Sequence, residues 1–150
     1  MPRYRQGMFK PLNPKKYRGN PRAIAYRSGW EFSCMVRMDT DPAVLWWQSE
    51  EVIVPYTNPV NGAFARYFPD IVYAVRGPDG AERVMMVEIK PYAQTQPPRA
   101  AKRGARRSRV IAEALAYSKN LAKWQAASRF CEKRGWEFKI LTERDVEVWK

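Results

Sequence analysis

Asp70, Glu88 and Lys90 are the residues of this 150-residue sequence whose types and spacing best suit catalysis. In Val87-Glu88-Ile89-Lys90, the two-residue side-chain period of a strand puts Glu88 and Lys90 on one face, with Val87 and Ile89 on the other. Pro91 pushes Lys90 toward extended backbone and so favours the strand. Gly77-Pro78-Asp79-Gly80 predicts a turn. A hairpin centred near Asp79 pairs residues whose numbers sum to about 158, which sets Asp70 opposite Glu88 with Lys90 one step farther along. Two facing carboxylates repel each other, and a divalent cation relieves the repulsion. Mg²⁺ accepts one or two carboxylates and completes its shell with water and phosphate oxygens. Such a site polarises a phosphodiester and lowers the pKa of an attacking water, while Lys90 orients that water or balances transition-state charge. A lone Glu-x-Lys is often a plain surface ion pair of little worth. Its apolar flanks, as in a central strand, and the opposed aspartate behind Pro69 set this one apart.

Other candidates stand around this trio. Glu31 has two readings: it completes a capping box with Ser28, or it projects from a first helix toward the carboxylate pair and binds a second metal or its water. Glu50 and Glu51 precede a strand and read as solvated or positioning groups. Lys123 and Gln125 fall on a long helix that could face the site. The chain has no histidine, which excludes Ser-His-Asp and Cys-His catalysis, histidine-ligated zinc and histidine general bases. Cys34 and Cys131 read as reduced core thiols.

The elements that must position these residues follow from pattern and punctuation. Residues 1–27, rich in Arg, Lys, Pro, Tyr and Asn, show no period and predict an extended basic arm, at most locally ordered. Residues 28–150 predict a single domain. Within it Ser28 opens a helix to about Asp39, and Asp41-Pro42 with Trp46-Trp47 begins a connection. Strands are expected over 52–56, 64–75 and 83–90, with Asn61-Gly62 as a hairpin turn. A long helix capped by Ser108 runs to about Arg134 and stops at Gly135, with Ile111, Leu115, Leu121, Trp124, Ala127 and Cys131 as its apolar stripe. A last strand over 136–141 returns parallel to an inner strand, and a short helix or tail starts at Thr142. The outcome is an α/β fold: antiparallel hairpins plus one late strand in a mixed central sheet flanked by helices.

The partner is indicated by charge. The chain carries 27 Lys and Arg against 15 Asp and Glu, a net charge of +12 that attracts polyanions, nucleic acid above all. Arg99, Lys102, Arg103, Arg106, Arg107 and Arg109 lead into the long helix, and Lys15, Lys16 and further basic residues occupy the arm. Phosphate contacts from such segments give affinity without sequence information. Tyr4, Tyr17 and Tyr26 either stack on bases or pack the arm onto the domain. No apolar run is long enough to span a membrane, and the N-terminus lacks a secretory apolar core.

Pro69-Asp70 and Glu88-Ile89-Lys90 resemble the two defining pieces of the PD-(D/E)xK nuclease superfamily, and Glu31 in Tyr26-Arg27-Ser28-Gly29-Trp30-Glu31 matches the acidic residue of its first helix. A closer resemblance is to the head-completion nucleases of contractile-tailed phages, related to the N-terminal domain of the transposition endonuclease TnsA. It is carried by Asn13-Pro14-Lys15-Lys16-Tyr17, Arg66-Tyr67-Phe68-Pro69-Asp70, Val87-Glu88-Ile89-Lys90-Pro91, Lys123-Trp124 and Trp136-Glu137-Phe138, in the family's order over nearly the whole chain. The resemblance implies a Mg²⁺-dependent deoxyribonuclease, with Mn²⁺ able to substitute, whose catalytic residues are Asp70, Glu88, Lys90 and Glu31 and whose metal ligands are Asp70, Glu88 and Glu31. It implies double-stranded DNA as substrate, phage head, portal or neck proteins as partners, and action in the host cytoplasm as filled heads are joined to tails. Endonuclease or exonuclease action, DNA structure or sequence preference, one metal or two, oligomeric state and retention in the finished particle stay open. Two other readings remain: a structural head or neck protein with a nuclease-like fold, and a non-catalytic nucleic-acid-binding module.

Overall fold

The computed structural model describes residues 6–99 and 103–146. Its centre is the hairpin of β6 (Ile71–Arg76) and β7 (Glu82–Ile89), joined through Gly77–Gly80. Ile71 pairs with Val87 and Val72 with Met86, the predicted register, so Asp70 and Glu88 sit one step beyond the last paired residues at one end of the hairpin. β3 (Val44–Ser49) joins β6 antiparallel, and β8 (Glu137–Leu141) joins β7 parallel, completing a mixed sheet in the order β3-β6-β7-β8.

Helices cover both faces. α1 (Gly29–Thr40) sets Cys34, Met35 and Met38 against Trp47, Ile71, Val87 and Ile89. Its first turn is built as expected, with Ser28 Oγ accepting from the Glu31 amide at 3.1 Å. α2 (Arg107–Arg134) lays Trp124, Ala127 and Cys131 over Val72, Ala74 and Met86, and ends at Gly135, whose φ of 70° is the left-handed stop that glycine adopts freely. The two cysteines are unpaired, buried, and lie in opposite layers. α3 (Glu143–Val146) follows β8. Among the described residues no helix is long and apolar enough to cross a membrane.

Four expectations are corrected. Residues 6–27 are not an extended arm. β1 (Gly7–Met8) pairs with β2 (Ala25–Tyr26), and Phe9, Tyr17, Ile24 and Tyr26 are buried in the α1-side core. Buried Asp39 ties this segment down, its carboxylate accepting from the Leu12 and Asn13 amides at 2.8 and 3.0 Å. The basic and proline residues between these anchors hide any period. Trp46-Trp47 lies within β3 rather than in a connection; a bulge between Val44 and Trp46 sends Trp46 to the α2 face and Trp47 to the α1 face. The strand expected over 64–75 is two, β5 (Phe64–Tyr67) and β6, because buried Pro69 has no amide to donate and breaks the ladder. β5 pairs instead with β4 (Val54–Thr57) in a separate hairpin under α2. Finally, α2 starts at Arg107 without a side-chain cap, and Ile111, Leu115 and Leu121 of its predicted apolar stripe are exposed.

Candidate active site

The end of the β6–β7 hairpin forms the floor of an open cleft of about 570 Å³, lined by Arg27, Glu50, Arg66, Tyr67, Phe68, Asp70, Glu88 and Lys123. Each wall comes from a different element. The break at Pro69 turns the chain so that Asp70 faces the end of β7, where its Oδ2 accepts from the Ile89 amide at 2.7 Å. Glu88 shares the α2 face with Met86, yet it leaves the apolar core there and is nearly buried. Tyr67, pointing inward from β5, donates its phenol to Glu88 Oε2 in a short hydrogen bond. The parallel return of β8 pins the next step of β7, since the Lys90 amide donates to the Leu141 carbonyl at 2.9 Å. The Lys90 ammonium then sits 3.8 Å from Glu88 Oε1.

The electrostatics express the crowding. Burial pushes the Asp70 carboxyl well above the ordinary carboxylate range, and the Glu88 charge pushes the same way; the Ile89 amide and Lys90 offset only part of this. Glu88 is raised mainly by burial and eased by the Tyr67 phenol, Lys90 and Lys123. Burial, then the Glu88 charge, drives the Tyr67 phenol upward, so it stays a proton donor. Lys123 is lowered by burial and by neighbouring Lys119 and Lys90.

Glu31 realises its local reading in part while remaining near the pair. Its Oε2 accepts from the Arg27 amide at 3.1 Å, rather than from the Ser28 amide of a full capping box. Its negative charge still raises both Asp70 and Glu88, and its own carboxyl is raised mainly by burial. Among the described residues no three carboxylates, cysteines or histidines converge into a preformed metal cage. The donor set nonetheless fits a hard cation of low protein coordination: Asp70 and Glu88 each have one oxygen engaged by a protein donor, and the other belongs to a carboxylate that repels its neighbour.

Apart from Glu50 and Lys123, which line the cleft, the remaining described sequence candidates lie elsewhere. Glu51 is drawn to the Tyr17 hydroxyl, and Gln125 lines grooves away from the cleft. Lys16 donates to the Asp39 and Asp41 carbonyls at 3.1 and 2.8 Å, closing the C-terminal end of α1 instead of facing solvent, whereas neighbouring Lys15 is exposed. Arg99, Arg103, Arg106, Arg107 and Arg109 are all exposed, Arg109 pairing with Glu113 at 3.2 Å; Lys102 lies outside the described residues. Glu50, a candidate positioning group, does line the cleft, whereas sequence reasoning gave no site role to four of its other residues, Arg27, Arg66, Tyr67 and Phe68. Arg27 forms an ion pair with Glu50 across its mouth, and Glu50 holds a φ of 55°, a region a non-glycine residue seldom adopts. Tyr67 was legible only as the buried position of an alternating strand.

The chain matches the family model described as "TnsA-like endonuclease N terminal" over residues 41–143. It is also 40% identical over 139 residues to the "Head completion nuclease" of Enterobacteria phage T4, a match that covers 91% of this chain and 90% of that protein. The matched span holds β3 through β8, the sheet, the cleft floor and both core carboxylates. On fold and relatives together, the chain belongs to the TnsA-like N-terminal endonuclease family, in its head-completion nuclease branch.

Proposed function

We propose that this protein is a metal-dependent DNA nuclease acting in phage head completion, with Asp70 and Glu88 as metal ligands, Glu31 as an outer carboxylate to the same metal or its water, and Lys90 as the catalytic cation. The observation that carries this reading is the pair of mutually repelling carboxylates beside a lysine, Glu88 buried and Asp70 half-buried, in a cleft ringed by Arg27, Arg66 and Lys123. A purely structural surface has no use for such a cluster, because unpaired buried charge destabilises the fold.

Bound Mg²⁺, for which Mn²⁺ substitutes, supplies a polarised phosphate and a water of lowered pKa. The protein's own groups do the rest. Ile89 fixes the rotamer of Asp70 through its amide, and Tyr67 fixes that of Glu88. Lys90, held close to Glu88, places a positive charge where the attacking water and the pentavalent phosphate develop negative charge. Arg27, Arg66 and Lys123 attract the phosphates on either side of the scissile one. The exposed arginines at 99, 103, 106, 107 and 109, with Lys15, extend that field over double-stranded DNA. Lys102, in the same run, has the same role. The relative's name, a head completion nuclease, supports action at phage head completion, and on this reading the chain works on filled heads in the host cytoplasm, next to head, portal or neck proteins.

The test incubates purified protein with supercoiled plasmid and with the same plasmid linearised, in Mg²⁺, in Mn²⁺, in EDTA, and as Glu88→Ala in Mg²⁺. Cleavage by wild type with either metal and by neither control supports the reading. A folded wild type that cuts nothing turns it toward a structural head or neck protein. Linear products or nicks mark endonuclease action, and progressive loss of ends marks exonuclease action.

A further inference from the structure

The β4–β5 hairpin has two unlike faces. Its inner face, with Val54, Tyr56 and Tyr67, packs under α2. Its outer face carries Phe64, which is 74% exposed, and Phe68 just beyond the strand, which is 42% exposed; exposed Arg66 stands between them. The alternation of β5 produces this row, since Ala65 and Tyr67 take the inward positions. The row leads into the cleft: Arg66 and Phe68 line it, Pro69 turns the chain, and Asp70 follows.

We propose that this outer face is a stacking platform for an unpaired DNA strand entering the active site, with Phe68 and Phe64 each taking a base and Arg66 a phosphate between them. The proposal rests on the nuclease reading above and names the substrate feature that the site selects. Three arguments fix the occupant. Residues two apart on a strand are about 6.7 Å apart, so extended chain sets the Cα atoms that carry the two rings about 13 Å from each other. Bases in duplex DNA rise about 3.4 Å per step and present their edges, not their faces, to the grooves. Rings carried at positions so widely spaced therefore suit a strand already unstacked, whose bases offer free faces to aromatic side chains whatever their sequence. The surface is also continuous with the phosphate-facing cleft and interrupted by a cation, which suits a polyanion better than an apolar protein face.

The enzyme should consequently favour DNA in which an unpaired segment adjoins a duplex, such as an overhang, flap or branch. The test uses the full chain carrying Glu88→Gln, so that binding is read without cleavage. An unpaired oligonucleotide with 2-aminopurine at successive positions is compared with the same probe in a duplex, by anisotropy and by 2-aminopurine fluorescence. Phe64→Ser and Phe68→Ser are each expected to weaken binding of the unpaired probe at least about fivefold and the duplex less, and to abolish the stacking signal at one position each. Phe64→Tyr should restore both. Equal losses on both probes would make the face a general phosphate surface and overturn the proposal. Unchanged binding in variants that melt as wild type does would assign the face to a protein partner and overturn it as well. Loss of stacking contrast with cleavage by the Glu88 enzyme intact removes the platform alone; stacking without any cleavage by that enzyme removes the nuclease reading alone.

Discussion

The two faces of the central sheet are built from the same strands but to different ends. On the α1 face, Cys34, Met35, Met38, Trp47, Ile71, Val87 and Ile89 form an unbroken apolar layer, sealed at its edge by Phe9, Tyr17 and Ile24. On the α2 face the layer is divided. Val72, Ala74 and Met86 lie under Trp124, Ala127 and Cys131, and one step along β7 the packing gives way to Glu88, Tyr67 and Lys123. Because strand side chains alternate, β7 holds its catalytic-type residue rigid with Val87 and Ile89 on either side of it, anchored in the opposite layer. One face supplies stability, and the other uses part of that stability to hold like charges together.

The largest expected effect is to erase the difference at its source. Asp70→Asn and Glu88→Gln should each lower metal-dependent cleavage by about a thousandfold or more, because each removes several kcal/mol of transition-state stabilisation. Without divalent metal the same variants should melt higher than wild type, by about 2–8 °C for each kcal/mol of repulsion relieved. A raised carboxyl pKa means that the folded state binds the proton more tightly than the unfolded one. The stability from that proton is full below the ordinary carboxyl pKa, about 4, and is lost as pH rises through the raised value. The gap in melting temperature between Asp70→Asn and wild type should therefore widen with rising pH in EDTA and shrink when Mg²⁺ is added. Calorimetry across pH checks it; a wild type that gains stability over Asp70→Asn as pH rises would sink the account of a strained pair.

The apolar layers predict the opposite pattern. Met38→Ala, on the α1 face and more than a turn from Glu31, should cost about 2–5 kcal/mol of stability while cleavage per folded molecule is unchanged. Trp124→Ala, in the apolar part of the α2 face, should cost a comparable amount by the same loss of buried volume. Denaturant melts paired with single-turnover cleavage separate the two kinds of loss.

Much of this division was legible in residues. The turn at Gly77–Gly80 set the hairpin register and thereby the opposition of Asp70 and Glu88, since a two-residue period leaves few alternatives. Ser28, Gly135 and the parallel return of β8 were legible because caps, left-handed stops and crossovers have local chemical signatures. What was not legible depends on distant partners. Phe9 and Ile24 read as isolated apolar residues in a basic segment, and only the α1 groove and Asp39 give them a place. Arg27 and Glu50, far apart in sequence, meet across the cleft. The long helix has apolar spacing over its whole length, but the sheet covers only its second half, so periodicity overstated the core.

A gentler change sharpens the polar half. Tyr67→Phe removes one hydroxyl and keeps the ring in the α2-side core. The phenol donates to the ionised Glu88 and so lowers its pKa; without it Glu88 should hold its proton to higher pH. The acid limb of the cleavage profile should move upward, with the loss largest on the acid side and recovered as pH is raised. A uniform loss at every pH would mean that Tyr67 acts on packing rather than on the carboxylate.

The smallest effects belong to the overhang of α2. From Arg107 to Ala116 every residue except Val110 is exposed, so the α2 face ends before the helix does. Ile111→Ser and Leu115→Ser, at 48% and 43% exposure, should then change stability by no more than about 0.5 kcal/mol, in contrast to Trp124→Ala on the same helix. If the overhang reaches DNA, Arg107→Gln should weaken binding evenly across sequences and reduce the slope of log K against log salt by about 0.9. Arg109 is paired with Glu113 and should give less. A serine variant that unfolds the protein would show that the overhang is covered in solution, and the contrast between packed and free halves of the helix would then have to be redrawn.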